Sequence, residues 1–344
     1  MPKNKVKLPL TTEEKAELIK ATATLQASTG PMGAATYEAH AQIAKALEEP
    51  LRQGITSRDS SEGIFEEVPA DGMSSYEYSL DFLPPGMEND FIAYTAPSHG
   101  YIPQRHVEGD YLMIPCIDIV DAIDTNRKYI RNATWDVVGR MRKVLTDGMA
   151  KKSMDVAFQT LLAAGVGRNI VVTDSDAAQG QFTKRLVSLG KAVMARNGGG
   201  NSSSLNRFAL TDIYLSTEAL EGIRNWNVDQ VDETTRREIF VSEDEPGLQR
   251  VFGVNLHELV EFGVGQQYQD YLVNDLSATV PSGKVEFCLG LDLNANGSFI
   301  KPISQQVEVF EDQELHRQRR WGLYSEMSAG WGVADNRAVL LFAL

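Results

Sequence analysis

Residues 125–163 read TNRKYIRNATWDVVGRMRKVLTDGMAKKSMDVAFQTLLA, and apolar side chains recur along this stretch every three or four positions. That spacing predicts one amphipathic helix, which would be about 55 Å long at a rise of about 1.5 Å per residue. Asp124 or Thr125 can cap its start, and Gly165 can supply a left-handed residue just past its end. A helix of this length exceeds what a small domain needs, so we expect it to act as a long structural support.

The segment before this helix, residues 57–123, is interrupted by prolines, which exclude a regular helix. These prolines are Pro69, Pro84, Pro85, Pro97, Pro103 and Pro115. Short apolar runs between them, such as residues 111–114, are typical of strands, and we interpret the segment as an extended β-hairpin that projects from the body. Farther upstream, residues 11–26 and 34–49 predict two helices of an N-terminal arm, whose apolar stripes are too narrow to form a core.

The chain after the long helix mixes short helices with strands, which indicates an α+β domain. The predicted helices are 179–195, 216–225 and 233–239, and the predicted strands are 207–210 and 211–214. Residues 286–344 are strand-like, and the apolar run 338–344 predicts a buried last strand. The fold class is therefore α+β.

The composition limits the classes of protein to which the chain can belong. With 344 residues, 42% apolar and 23% charged, it can form one large domain or two interleaved domains. The formal net charge of -14 argues against a sequence-independent DNA binder, since phosphates are neutralised by Lys and Arg, and we expect the chain to repel DNA on average.

The cysteines and the hydropathy indicate a cytoplasmic chain. Cys116 and Cys288 are too few for a disulfide framework, and the start of the chain lacks a signal-peptide pattern. We therefore expect reduced thiols. No run approaches the roughly eighteen apolar residues that cross a bilayer, so we expect no membrane insertion.

We find no sequence pattern that indicates a catalytic, cofactor-binding or metal site. The histidines are scattered without the spacing of zinc ligands. Residues 292–297 imitate the first half of a calcium loop, but the twelfth position is Ile303 and not a carboxylate, so a hairpin turn is the better interpretation. The glycine-rich segments 165–168 and 198–200 lack a phosphate-loop ending, and we interpret them as flexible linkage. We expect no enzyme activity.

Candidate functional residues are those that a single domain could not bury. In the projecting segment, we predict aromatic and arginine side chains at contacts between subunits. These are Phe82, Phe91, Tyr94, Tyr101 and Arg105. A second group, Arg317, Arg319 and Arg320, is either an inter-subunit salt-bridge strip or a solvated strand face, and the sequence leaves both interpretations open.

The order of these parts resembles the Hong Kong 97 phage-type capsid fold. Residues 107–115 (VEGDYLMIP) resemble the return strand of the family's E-loop, 130–164 resemble its spine helix, and 322–333 (GLYSEMSAGWGV) resemble its closing strand pair. The resemblance covers residues 57–344. It implies an N-terminal arm (1–56), an E-loop (57–123), a spine helix with the peripheral domain (124–173), an axial domain (174–285) and terminal strands that return to both domains (286–344).

The resemblance implies a major capsid protein of a tailed double-stranded DNA bacteriophage, located in the virion and assembled in the host cytoplasm. Copies of the chain would form hexamers and pentamers of an icosahedral head. Separate scaffolding, portal and decoration proteins would be further partners, and the packaged double-stranded DNA would be enclosed without sequence-specific binding. Two alternatives stay open: an encapsulin-like nanocompartment shell and a soluble cytoplasmic hydrolase.

Some members of the family join subunits by an isopeptide bond that starts from a lysine of the E-loop. No lysine occurs here between Lys45 and Lys128, and Arg105 cannot replace it because a guanidinium stays protonated. We therefore expect a shell without covalent cross-links. The segment before the E-loop is short and lacks heptads, so we expect a separate scaffolding protein or none.

Overall fold

The computed structural model describes residues 51, 55, 60–80, 110–126, 128, 137–197, 208–224, 226, 249–295, 297–312 and 314–344. Two compact units are built from separated stretches of the chain. Unit 1 comprises residues 1–77, 113–158 and 300–332, and unit 2 comprises residues 78–112, 159–299 and 333–344.

A five-stranded sheet lies in unit 1 and carries the long helix. Its order is β1 (Glu66–Pro69), β10 (Phe299–Glu311), β11 (Arg320–Ala329) and β4 (Ile117–Asn126), and β12 (Gly332–Val333) also pairs with β10. β1 runs parallel to β10, whereas β11 is antiparallel to both of its neighbours. Alternate side chains of β11, from Trp321 to Ala329, are buried on one face of the sheet.

The long helix is α1 (Val137–Gly167), and its first part packs on that buried face of the sheet. A Cβ atom at Gly148 would lie only 2.6 Å from Oδ2 of Asp121 on β4, so the absence of a side chain there permits the close approach of helix and strand. The hydroxyl of Ser325 on β11 donates a hydrogen bond to the sulfur of Met149, at 2.9 Å. These contacts hold the first part of α1 against the sheet.

A six-stranded sheet forms the core of unit 2. Its order is β5 (Val171–Thr173), β13 (Val339–Ala343), β9 (Phe287–Leu291), β6 (Asp212–Leu215), β8 (Val254–Glu258) and β7 (Gln249–Val251). All residues of β13, β9 and β6 are buried, which is typical of strands that are covered on both faces.

The remaining elements are short helices, helical turns and one strand pair. The helices are α2 (Lys184–Asn197), α3 (Thr217–Arg224) and α4 (Gln267–Asp270), with a π-turn at Tyr271–Asp275 and 3₁₀ turns at Glu314–Gln318 and Asn336–Ala338. The strands β2 (Ser75–Leu80) and β3 (Asp110–Pro115) pair with each other. The predictions of helices near 179–195 and 216–225, and of strands near 111–114, 211–214 and 338–344, are confirmed by α2, α3, β3, β6 and β13.

The predicted bounds of the long helix are wrong at both ends. Thr125 belongs to β4, where it pairs with Trp321, so it does not begin the helix. Gly165 lies inside α1, where a Cβ would be 2.9 Å from Leu341 of β13. The left-handed residue after the helix is Asn169 (φ 55). Residues 165–168 are therefore not a flexible linker.

Two further predictions are wrong, and both concern segments that hydrogen-bond to Asp292. Its buried carboxylate accepts the N–H of Ala209 at 2.7 Å, and residues 208–210 form no strand. It also accepts the N–H of Asn294 at 3.0 Å, which stabilises the turn after β9. That turn is not a hairpin, since β9 and β10 belong to different sheets.

Some predictions concern residues that lie outside the ranges that the structure describes. The helices at 11–26, 34–49 and 233–239 fall there, as does the glycine-rich segment 198–200. The central part of the projecting hairpin, residues 81–109, falls there as well. These elements stay predictions.

Candidate functional site

The predicted contact residues of the projecting segment lie outside the described residues. These are Phe82, Phe91, Tyr94, Tyr101 and Arg105. Arg317 lies in the 3₁₀ turn Glu314–Gln318, and its side chain is likewise outside the description. The structure therefore places only two of the predicted side chains.

Those two side chains, Arg319 and Arg320, are both exposed where the chain enters β11. Arg319 has a left-handed backbone (φ 59). Arg320 forms an ion pair with Asp124 on the neighbouring strand β4, with its Nη1 2.9 Å from Oδ2. An exposed ion pair contributes little to stability, so the pair can exchange partners at low cost in free energy.

No group of three or more His, Cys, Asp or Glu side chains with metal-site geometry occurs within the described ranges.

In unit 2, His257 Nε2 lies 2.7 Å from Asp212 Oδ1, and the Tyr214 ring stacks on the imidazole at 4.7 Å. Burial raises the pKa of Asp212, but hydrogen bonds from His257, Thr211 and Asn255 outweigh it and hold this pKa below its usual range. The cluster joins β6 to β8 and is typical of a satisfied buried carboxylate.

The two thiols do not have the environment of a nucleophile. Burial, with the charge of Glu286 beside it, raises the pKa of Cys288 well above its usual range, so the thiol stays protonated. Burial and the charge of Asp118 also raise the pKa of Cys116. Neither cysteine is in a disulfide in the structure.

A cavity of about 460 Å³ lies in unit 1. At its wall, Lys301 Nζ forms an ion pair with Glu67 at 2.9 Å. Its described lining otherwise consists of serine, glutamine and apolar side chains, with one further glutamate, and contains no histidine or cysteine.

The outer face of the unit 1 sheet carries an apolar row that the sequence did not indicate. Ala122, Tyr324 and Phe310 lie side by side on β4, β11 and β10 through their cross-strand pairing. The Tyr324 and Phe310 rings stack at 5.2 Å, and Val120 beside them is 66% exposed. We name these four residues the sheet-face row. The local signal was the alternation of side chains in β4 and β11, but the row appears only when the strands are paired.

Unit 2 presents a second exposed apolar feature, the loop after β8. Val260 and Val264 are 69% and 67% exposed, whereas Leu259, Phe262 and Tyr268 around them are buried. The rings of Phe262 and Tyr268 meet edge to face at 5.4 Å, and the N–H of Tyr268 donates to the carbonyl of Glu261. The loop thus holds two valines in solvent on a well-packed base, and we name it the valine loop.

No helix among the described residues is long and apolar enough to cross a membrane. No family model matches the sequence, and no curated protein matches it.

Solved structures do match this fold. A structure from Microbacterium phage Oxtober96 has a TM-score of 0.55 at 10% identity, over 83% of this chain and 90% of that chain. A capsid structure of the cyanophage P-SCSP1u has a TM-score of 0.52 at 9% identity, over 81% and 86%. The capsid of the myovirus XM1 has a TM-score of 0.51 at 10% identity, over 83% and 90%. At these identities the likeness shows a shared fold, and it confirms the resemblance drawn from the sequence.

Proposed function

We propose that this chain, which has the fold of Hong Kong 97 phage-type capsid proteins, is a major capsid protein. In this function it is a structural subunit, not an enzyme, and it assembles with copies of itself into the shell of a virion. The observation that carries the proposal is the structural likeness to phage capsid proteins, which extends over more than four fifths of both chains.

The exposed apolar surfaces support this role. An apolar surface such as the sheet-face row or the valine loop costs free energy in water unless a partner covers it. Repeated copies of one chain can supply such partners on every subunit of a closed shell. The described lining of the cavity contains no histidine or cysteine, and His257 is bound to Asp212 in a contact that joins β6 to β8.

The finer assembly follows from the same proposal. The chain forms hexamers and pentamers of an icosahedral head around double-stranded DNA, and residues 57–123 act as an E-loop that covers a neighbouring subunit. Arg319 and Arg320 lie at subunit contacts, where Arg320 exchanges Asp124 for a carboxylate of a neighbour. Any scaffolding, portal or decoration protein is a separate chain, and assembly takes place in the bacterial cytoplasm.

Electron microscopy of the purified full chain, combined with size-exclusion chromatography, tests the proposal. We expect closed particles or capsomers, and a monomer at high concentration would contradict a shell protein. Particles that contain protein cargo but no nucleic acid would indicate a nanocompartment instead.

A variant of the valine loop sharpens the test. Val260→Asp with Val264→Asp places charges at positions that are exposed in the folded chain, so the subunit should stay folded while particle yield falls. Val260→Thr with Val264→Thr is the matched control, since it changes the same positions without adding charge.

A further inference from the structure

We propose that Phe252, at one end of strand β8, binds the valine loop at the other end of β8 in a second copy of this chain. Phe252 and Gly253 form the turn between β7 and β8, and we name this turn the hairpin tip. The inference rests on the proposed function, since it names the partner that covers the valine loop when copies of the chain assemble.

The hairpin tip holds an aromatic residue where the backbone disfavours one. Phe252 (φ 51) and Gly253 (φ 75) have consecutive positive φ angles, as in a type I′ turn of two residues. Asparagine and glycine are the usual residues of such turns, because a bulky side chain is strained in the left-handed region. The geometry of the turn therefore does not explain the choice of phenylalanine.

The Phe252 ring is presented to solvent on a fixed backbone. It is 51% exposed, whereas Val251 and Val254 directly below the turn are buried and pair with each other. Lys191 of α2 donates a hydrogen bond from its Nζ to the carbonyl of Phe252, at 2.8 Å. Because the backbone of the tip is already held, a partner that covers the ring would have little ordering to impose.

The valine loop lies at the opposite end of β8. There the N–H of Leu259 donates to the carbonyl of Leu215, the last residue of β6. β8 has five residues, so about 16 Å of extended chain separates the hairpin tip from the loop. Phe252 is therefore too far away to cover Val260 or Val264 of its own chain.

Two different surfaces at opposite ends of one strand allow a head-to-tail contact between copies. Each copy offers its hairpin tip to one neighbour and its valine loop to the other. A contact of this kind closes into a ring when the rotation between copies is a whole fraction of a turn. In such a ring both apolar features of every copy are covered by identical chains.

The hairpin tip is flanked by positive charges. Lys191 and Arg250 are both exposed beside it. Lys191 donates to the carbonyl of Phe252, and Arg250 donates from its Nε to the amide oxygen of Asn255 at 2.8 Å. Both acceptors are neutral, so neither hydrogen bond compensates the positive charge.

The valine loop is flanked by negative charges. Glu258 is exposed at the end of β8, and Glu261 lies within the loop. Glu218 of α3 reaches the loop as well, because a Cβ at Gly263 would lie 3.2 Å from its Oε2. A basic tip and an acidic loop attract each other, whereas pairing two tips or two loops would bring like charges together. The charges thus favour head-to-tail contact over a two-fold pairing.

The side chains have the chemistry of the centre of a protein interface. Such centres are formed by an aromatic anchor that enters an apolar site, with polar groups around it. Phe252 supplies the anchor, and Val260 and Val264 supply the apolar site on the packed base of the loop.

The first test joins the two surfaces by a disulfide in particles of the full chain. Phe252→Cys and Val264→Cys are combined in one chain, and the particles are oxidised, boiled in detergent and run without reducing agent. The two positions are too far apart to bond within one chain, since a disulfide needs Cα atoms within about 7 Å. We expect a ladder of oligomers that reduction converts to monomer, and each single variant should give dimers at most.

The matched control combines Phe252→Cys with Val120→Cys, because Val120 is an equally exposed valine of unit 1. It should give no ladder, and equal ladders in both proteins would show nonspecific oxidation and overturn the inference. Intact particles of the test variant without a ladder would also overturn the inference, while the proposed function would stand. A wild-type chain that stays a monomer would overturn both.

The second test replaces Phe252 by asparagine, which suits the turn but removes the anchor. Phe252→Asn should raise the Tm of the unassembled subunit and lower the yield of particles. Phe252→Tyr is the control, since it keeps an aromatic ring and should keep both values. A lower Tm for Phe252→Asn would show that the ring stabilises its own hairpin, and an unchanged particle yield would show that the ring contacts no neighbour. Either result contradicts the inference.

Discussion

Replacing Gly190 by alanine should lower the stability of unit 2, although alanine favours helices. A Cβ at Gly190 in α2 would lie 2.5 Å from two ring carbons of Phe342 and 3.2 Å from Leu210. Carbon atoms prefer a separation of about 3.5–4.0 Å, so the ring would have to move by about 1 Å. It has no room to do so, because a Cβ at Gly290 in β9 would also lie 2.5 Å from that ring.

The size of the effect follows from two opposing contributions. Alanine gains about 1 kcal/mol over glycine inside a helix. Overpacking a closed core costs about 1–3 kcal/mol, and a contact this short lies at the upper end. We therefore expect Gly190→Ala to lose about 2 kcal/mol of unfolding free energy, which lowers Tm by about 4–8 °C.

Thermal unfolding of the unassembled subunit at a fixed protein concentration measures this loss, since assembly would add stability of its own. Gly222→Ala is the matched control: Gly222 also lies in a helix, α3, but a Cβ there meets nothing within 4 Å. The control should gain up to about 1 kcal/mol. If Gly190→Ala is as stable as the control, the packing argument is refuted. Phe342→Leu should relieve the clash, so the double variant should lose less than the two single losses combined.

Three other predictions concern assembly and acid stability. Deleting residues 88–104 should leave a folded subunit that forms no stable shells, as a sedimentation gradient would show, and normal particles would contradict the contact role of that segment. Particles boiled in detergent should run as a single band near the 38.0 kDa monomer, because no lysine lies between Lys45 and Lys128; a ladder that survives reducing agent would point to a nucleophile elsewhere. Asp212→Asn should cost about 1–3 kcal/mol at neutral pH by weakening its bond to His257. Folding lowers the pKa of Asp212, so the carboxylate stabilises the folded chain above the usual aspartate pKa, and this stabilisation is lost as the pH falls through the lowered pKa. At still lower pH, denaturation curves should therefore show equal stability for Asp212→Asn and the wild type, and a variant that remains less stable there would contradict this.

Local patterns predicted the elements that bury a continuous or periodic apolar surface. The last strand was visible because residues 338–344 are apolar throughout, which fits a strand that is covered on both faces. The centre of α1 was visible from its helical period. In both cases the information lies within a few neighbouring residues.

The sequence did not predict pairings between strands that lie far apart in the chain. Thr125 looked like a helix cap, yet it pairs with Trp321 in the sheet. The hairpin expected at 292–297 failed for the same reason, since the strands on its two sides join different sheets. No local pattern encodes which distant strand a segment will join.

The candidate contact surfaces also divide into one that the sequence indicated and one that depends on the pairing of distant strands. The sequence indicated Arg319 and Arg320, which are exposed in the single chain, as both of its interpretations require. It did not indicate the sheet-face row, because Tyr324 and Phe310 become neighbours only through the register of β10 and β11.

The pairing of β1 with β10 determines when the chain can fold during synthesis. Lys301 meets Glu67 across that pair, 234 residues apart. A ribosome adding roughly 5–20 residues per second would need roughly 10–50 s to make the intervening chain. β5 must likewise wait for β13, near the end of the sequence. Both sheets are therefore completed only when β10 to β13 have left the ribosome, and until then β1 and β5 lack the strands with which they pair in the folded chain.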